Sequence, residues 1–134
     1  MAKERYGLTL NQGPFGQDSR PALVGAKFAE AQGLGEAYHA AVFRAYWEEA
    51  QPIEGLAVLT ALATALGLEA AAFQAALADP ALIALVDADI ALAAAYQLSG
   101  VPAMVFANRY LVSGAQPSAT LREVVERIVA EQGE

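Results

Sequence analysis

Few side chains in this 134-residue chain can take part in chemistry. The sequence contains no cysteine and a single histidine, His39. Without a thiolate, the chain offers no disulfide, no thiolate metal site and no thiol nucleophile. A histidine could act as a general base or a metal ligand, but the pattern around His39 supplies neither a nucleophile nor a second ligand. We therefore interpret His39 as a structural residue of a helix.

Neighbouring acidic residues are the next candidates, because paired carboxylates can transfer protons or bind a metal ion. Asp87 and Asp89 are two residues apart in a predicted helix, and Glu48 and Glu49 are adjacent. Residues at these spacings point to different faces of a helix and do not share a ligand. The sequence therefore predicts no catalytic residue, no metal site and no cofactor, and these acids are interpreted as solvated helix faces.

Two glycine-containing motifs complete the candidates. Gly33 and Gly35 end a predicted helix instead of following a strand, which argues against a phosphate-binding loop. Gly100, Val101 and Pro102 lie between a long apolar helix and a predicted strand. Pro102 can simply begin that strand, or its peptide bond can be cis, at a cost of about 0.5–1 kcal/mol relative to trans. The residues alone leave both interpretations open.

Charge and composition exclude several classes of function. The net charge is -7, with 8 basic residues against 15 acidic ones, so the basic surface that binds nucleic acid is absent. No window approaches the roughly 18 uninterrupted apolar residues of a membrane span. Three of the first five residues are charged, and they lead into no apolar segment of the kind found in secretory signals. We expect a cytoplasmic protein that binds neither nucleic acid nor membrane.

Hydrophobic periodicity predicts a mainly helical chain with strands at its two ends. Tyr6–Leu10 alternates like a short strand, whereas Ala103–Ala107 and Tyr110–Val112 form a predicted β-hairpin around Asn108-Arg109. If every strand is paired, the N-terminal strand and the hairpin must share one sheet, since an open edge is a template for other chains. The predicted helices cover Asp18 or Ser19 to Gly33, Glu36–Ala50, Gly55–Leu66, Glu69–Ala78, Asp79 to about Gln97, and a last helix from Pro117.

From Tyr6 to about Val129, the sequence resembles the C-terminal part of DsbA-type thioredoxin-fold proteins, and most closely their FrnE-like branch. The resemblance depends on the order and spacing of short motifs over nearly the whole chain. These motifs are Tyr6-Gly7-Leu8-Thr9-Leu10-Asn11, Ser19-Arg20-Pro21-Ala22-Leu23, Ala41-Val42-Phe43-Arg44-Ala45-Tyr46-Trp47, Ala76-Leu77-Ala78-Asp79-Pro80, Val86-Asp87-Ala88-Asp89-Ile90-Ala91, Ser99-Gly100-Val101-Pro102-Ala103-Met104-Val105-Phe106 and Tyr110-Leu111-Val112-Ser113-Gly114-Ala115-Gln116-Pro117.

The resemblance implies an incomplete thioredoxin-like fold of the α/β class, mainly helical. Residues 1–134 would form a single truncated domain with one N-terminal strand, a five-helix insertion over 19–97, and a proline loop, hairpin and C-terminal helix over 98–134. Gly100, Val101 and Pro102 would correspond to the cis-proline loop of the family. There, the residue before the proline offers its backbone N–H and C=O groups to an extended peptide. The resemblance thus predicts a peptide-binding site at these three residues.

The sequence departs from the family pattern at its N-terminal side. Family members begin with a strand and a helix that carry the redox Cys-x-x-Cys, and this chain begins after that unit. Thiol–disulfide exchange requires a thiolate, so we expect a disulfide oxidoreductase relative that is inert alone, either a remnant or a partner-dependent subunit. Whether the chain is an enzyme stays open. The alternatives are a peptide-binding or self-assembling module that uses Val101-Pro102, and a glutathione-dependent isomerase like the 2-hydroxychromene-2-carboxylate isomerases.

By the same resemblance, the absent strand is the central strand of the sheet. Backbone groups buried beside the gap would cost roughly 1–3 kcal/mol each if left unpaired, against a total stability near 5–15 kcal/mol. A second chain could supply the strand, two copies could pair, or the helices could repack across the gap. We expect a homodimer or a partner chain that completes the sheet.

Overall fold

The computed structural model describes residues 2–11 and 13–133, with the side chain of Ala2 left out. The chain divides into two compact units, one ending at Ala88 and the other beginning at Asp89. The elements in chain order are α1 (Ala2–Tyr6), α2 (Arg20–Ala31), α3 (Gly35–Trp47), α4 (Leu56–Ala65), α5 (Ala70–Ala76), α6 (Pro80–Ala95), β1 (Ala103–Phe106), β2 (Tyr110–Ser113) and α7 (Ser118–Gln132). No helix in the described ranges is long and apolar enough to cross a membrane.

The helix ends follow local signals in the sequence. Pro21 lies in the first turn of α2, where a backbone N–H would have no acceptor within the helix, so its absence costs no hydrogen bond. The Asp18 carboxylate accepts a hydrogen bond from Arg20 N at 2.9 Å. The carboxylate of Glu69 caps α5 by accepting from Ala71 N at 3.0 Å and from the next amide at 2.6 Å. Gly67, just after α4, has φ +91°, a conformation that favours glycine.

The core of the first unit is built around aromatic rings from two helices. Tyr38 on α3 is 1% exposed and Phe73 on α5 is fully buried, with their ring centroids 5.8 Å apart. Gly25 on α2 allows this packing, because a Cβ at that position would lie only 2.4 Å from the Tyr38 hydroxyl oxygen. Leu59 on α4 is the third large side chain that is completely buried. These contacts join α2 to α5 into one helical block.

The second unit contains the hairpin and the C-terminal helix. β1 and β2 are antiparallel, with Ala103 opposite Ser113 and Phe106 opposite Tyr110. The turn places Ala107 and Asn108 at φ +50° and +55°, and it is closed by a 3.0 Å hydrogen bond from Arg109 N to Phe106 O. Positive φ at both central residues is the geometry that matches the twist of the two strands.

The N-terminal strand predicted over Tyr6–Leu10 is wrong. Tyr6 is the last residue of α1, and no regular element covers Leu8 to Leu10. A strand needs a hydrogen-bonded neighbour, and the described residues contain only β1 and β2, which pair with each other. The backbone N–H of Asn11 instead donates to Trp47 O at 2.7 Å, which fixes this segment to the end of α3.

Three further differences concern boundaries and a missed helix. The short helix α1 was not predicted from the sequence. α3 ends at Trp47 instead of Ala50, which has φ +53° and so cannot continue the helix. The hairpin connection contains Ala107 in addition to Asn108 and Arg109. The other helices and both hairpin strands lie within a few residues of their predicted ranges.

Candidate functional site

The predicted peptide-binding residues lie in the loop that enters β1. Val101 is 96% exposed, the most exposed large hydrophobic residue among those described. Apart from its two chain neighbours, no other described residue places an atom within 4 Å of the position that a Cβ on Gly100 would take. The Val101–Pro102 peptide bond is cis. The loop therefore presents an apolar side chain and an open stretch of backbone to the surroundings.

The hydrogen-bond pattern of the hairpin determines which backbone groups face outward. Gly114 N donates to Pro102 O at 2.8 Å. Pro102 and Gly114 therefore extend the β1–β2 ladder by one hydrogen-bonded pair. Along an antiparallel strand, the residues that bond to the neighbour alternate with residues whose N–H and C=O groups point away. The β1 positions that bond to β2 are therefore 104 and 106. Within β1, the groups that point to the other edge belong to Ala103 and Val105, and Val101 lies in the loop that precedes them.

The outer edge of β1 has no neighbouring strand in the described part of the chain. The sheet has two strands, and β2 occupies one side of β1 only. All four β1 side chains are partly buried, so the strand is held in place while its outer backbone stays unpaired. Such an edge can pair with an added extended segment through main-chain hydrogen bonds. The loop and the edge together form the candidate site, which we call the β1 edge.

The remaining sequence candidates do not come together. His39 is exposed on α3 with its ring 4.5 Å from that of Phe43. Glu48 and Glu49 are exposed just after α3, and Asp87 on α6 forms an ion pair with Arg20. Among the described residues, no three side chains of the metal-ligating types are grouped to hold a metal ion.

A polar cluster beside the hairpin was missed by the sequence reasoning. The Tyr110 hydroxyl on β2 donates to the Glu131 carboxylate on α7, and Arg127 Nε donates to the same carboxylate at 3.2 Å. The hydrogen bond from Tyr110 is the main cause that lowers the pKa of Glu131, and the same bond raises the pKa of Tyr110. Only the Arg127–Glu131 spacing of four residues signals part of this cluster in the sequence. The cluster fixes β2 to α7.

Comparison with known proteins identifies the family. The family model described as a DSBA-like thioredoxin domain matches residues 1–126. Because that match covers nearly the whole chain, the protein belongs to the DSBA-like thioredoxin domain family. No curated protein sequence matches the chain. The chain belongs to this family although its sequence contains no cysteine.

Two solved structures share this fold. A 2-hydroxychromene-2-carboxylate isomerase is 23% identical, with a TM-score of 0.77 over 98% of this chain and 64% of its own. A candidate protein disulfide isomerase from Nitrosomonas europaea is 25% identical, with a TM-score of 0.66 over 85% of this chain and 59% of its own. The present chain thus spans less than two thirds of the length of either structure. The likeness confirms a mainly helical, DsbA-like thioredoxin fold.

Proposed function

We propose that this chain binds an extended polypeptide segment along the β1 edge, and that it performs no thiol–disulfide exchange unless another chain supplies the thiols. The observation that carries the proposal is the unpaired outer backbone of β1, continuous with the almost fully exposed Val101. In this proposal residues 98–134 carry the binding edge, and residues 19–97 form the helical insertion of one truncated domain.

The proposed binding mode is the addition of a strand. The N–H and C=O groups of Val101, Ala103 and Val105 would exchange hydrogen bonds with every second residue of the added segment. Each such bond contributes a net of about 0.5–1.5 kcal/mol. An edge of this length therefore supports weak, reversible binding with little preference for sequence. The exposed Val101 side chain adds apolar contact at one end.

The sulfur chemistry of the family requires a thiolate that attacks a disulfide. This sequence contains no cysteine, so the proposed role of the chain alone is to hold a substrate rather than to oxidise, reduce or isomerise it. In an insulin reduction assay with dithiothreitol, we expect the purified chain to leave the rate of precipitation at the uncatalysed level. A reproducible acceleration would contradict the proposal.

Two proline variants at opposed positions test the binding mode. Ala103→Pro removes an outward N–H of β1, whereas Ser113→Pro removes an outward N–H of β2 at the position directly opposite. The probe is fluorescein-labelled ribonuclease A that has been reduced and carboxymethylated, followed by fluorescence anisotropy. We expect Ala103→Pro to weaken binding about tenfold, through one lost hydrogen bond and the clash of the ring. Ser113→Pro should bind like the wild type.

Equal losses for the two variants, or no loss for Ala103→Pro, would contradict binding at the β1 edge. Far-ultraviolet circular dichroism establishes that both variants are folded before their affinities are compared. Calorimetric titration with glutathione tests the isomerase alternative, which expects saturable binding to the same preparation. Membership of the FrnE-like branch and a cytoplasmic location remain predictions.

A second copy of the chain is the alternative occupant of the β1 edge. Two-stranded sheets are marginally stable on their own, and three or more strands are usual. Pairing of two β1 edges would produce a four-stranded sheet across a twofold axis. Size-exclusion chromatography with light scattering tests this candidate: a dimer that Ala103→Pro converts to a monomer supports it, and a wild-type monomer excludes it.

A further inference from the structure

A separate cavity of about 300 Å³ lies wholly within the helical unit that ends at Ala88. It is bounded by the start of α2, the segment before α4, the end of α5 and the beginning of α6. Its lining includes the apolar residues Val24, Leu77 and Ile83 and the charged residues Asp18, Arg20 and Glu54. This size is at the lower end of the range for small-molecule sites, which are typically apolar with a few polar groups.

Each of the three charged side chains makes one hydrogen bond or ion pair and keeps further hydrogen-bonding atoms. Asp18 N donates to Glu54 Oε2 at 3.1 Å, and Arg20 N donates to Asp18 Oδ1 at 2.9 Å. The Arg20 guanidinium is paired with the Asp87 carboxylate through one of its terminal nitrogens. No described residue bonds to Asp18 Oδ2, to Glu54 Oε1 or to the other guanidinium N–H groups. One cation and two carboxylates therefore belong to residues that line the cavity and keep further donors and acceptors.

We propose that this cavity binds a small zwitterion with a branched aliphatic side chain, of the α-amino acid class. The guanidinium of Arg20 would bind the carboxylate of the ligand, and Glu54 with Asp18 would bind its ammonium group. The aliphatic part would contact the apolar lining residues Val24 and Ile83. A simple anion would be repelled by the two carboxylates, and an uncharged apolar molecule would make no bond with any of the three charged groups. The α-amino acids with side chains of about leucine size satisfy each requirement.

Three ligands that differ by one charged group test the proposal. They are leucine, 4-methylpentanoate, which lacks the ammonium group, and 3-methylbutylamine, which lacks the carboxylate. Each is titrated into the ¹⁵N-labelled chain, and the amide shifts of Asp18, Arg20 and Ile83 are followed. We expect leucine to bind about three- to tenfold more tightly than either analogue, because each lost charge removes a charge-assisted hydrogen bond at a partly exposed site. Equal binding of leucine and 3-methylbutylamine, or no saturable shift with leucine, would overturn the proposal.

Variants of the charged lining residues assign each charge. Arg20→Gln should abolish the advantage of leucine over 3-methylbutylamine, and Glu54→Gln should reduce its advantage over 4-methylpentanoate. Asp87→Asn is the matched control, because it removes the ion-pair partner of Arg20 without removing a residue that lines the cavity. We expect Asp87→Asn to keep the wild-type order of affinities. Loss of leucine binding in Asp87→Asn, or unchanged selectivity in Arg20→Gln and Glu54→Gln, would contradict the assignment.

Discussion

Replacement of Tyr38 by phenylalanine is expected to stabilise the helical unit. Tyr38 is 1% exposed, and its buried hydroxyl has no hydrogen-bond partner among the described residues. A buried polar group without a partner costs about 1–3 kcal/mol. Removing the oxygen leaves a void of about 10 Å³, less than one water molecule occupies, which costs only about 0.2 kcal/mol. Tyr38→Phe should therefore raise the free energy of unfolding by about 1–2 kcal/mol.

Urea denaturation followed by circular dichroism measures this change directly. The expected result is a higher midpoint with an unchanged m-value, and an increase in Tm of about 3–6 °C. Gly25→Ala is the opposite perturbation, because the added Cβ would lie 2.4 Å from the same hydroxyl oxygen and 2.9 Å from the Phe73 ring. It should destabilise the chain. A loss of stability in Tyr38→Phe would refute the reasoning, since the hydroxyl would then make a favourable bond.

Because the Tyr38 hydroxyl is buried, we expect the stability of the chain to depend on pH in the alkaline range. Burial raises the pKa of Tyr38 above its ordinary value of 10.0. Above pH 10, the unfolded chain therefore binds fewer protons than the folded chain, and stability falls as the pH rises. This contribution is complete below pH 10 and is lost as the pH increases from there toward the folded pKa. The advantage of Tyr38→Phe should grow over that window, and an advantage that stays constant up to pH 11 would contradict the burial of this hydroxyl.

Two further predictions concern helix and turn chemistry. Glu69 caps α5 through bonds from Ala71 N and Ala72 N, which lower its pKa from 4.5; its contribution is present above pH 4.5 and is lost as the pH falls through the folded pKa. Thermal melts should therefore show a lower Tm for Glu69→Ala at pH 7 and a smaller difference from wild type at pH 3, and a difference that grows on acidification would contradict the cap. Ala107→Gly should stabilise the chain by about 0.5–1 kcal/mol, because alanine at φ +50° is strained and glycine is not. Asn108→Gly should gain less in the same melts, since asparagine tolerates this conformation, and an equal or larger gain would contradict the turn geometry.

Much of the fold was predictable because its signals are local. Pro21, Gly67 and the Asp79-Pro80 step mark helix ends by chemistry that acts within a turn. The continuous apolar run from Ala103 likewise identifies a strand, and its partner follows after a short connection. The contacts that mark these helix ends and this hairpin lie within a few residues along the chain, so the sequence shows them directly.

The N-terminal segment shows where such reasoning fails. The alternation from Tyr6 to Leu10 suits a strand, but strand formation depends on a neighbour, which local sequence does not specify. In this structure the available bond for that segment is to the end of α3 through Asn11. The unpaired Tyr38 hydroxyl and the cavity lined by Asp18 and Glu54 were also beyond prediction. Both depend on contacts between residues far apart in the sequence.

Hydrogen exchange at single amides of β1 is the most direct test of the proposed strand addition. The chain is compared alone and with an excess of reduced, carboxymethylated ribonuclease A, and exchange is followed by NMR. We predict slower exchange of the outward amides of Ala103 and Val105, and of the Val101 amide in the loop before them, when the polypeptide is present. The amides of Met104 and Phe106, which already face β2, should change little. Protection that is equal at all five positions, or absent at Val101, Ala103 and Val105, would contradict strand addition at the β1 edge.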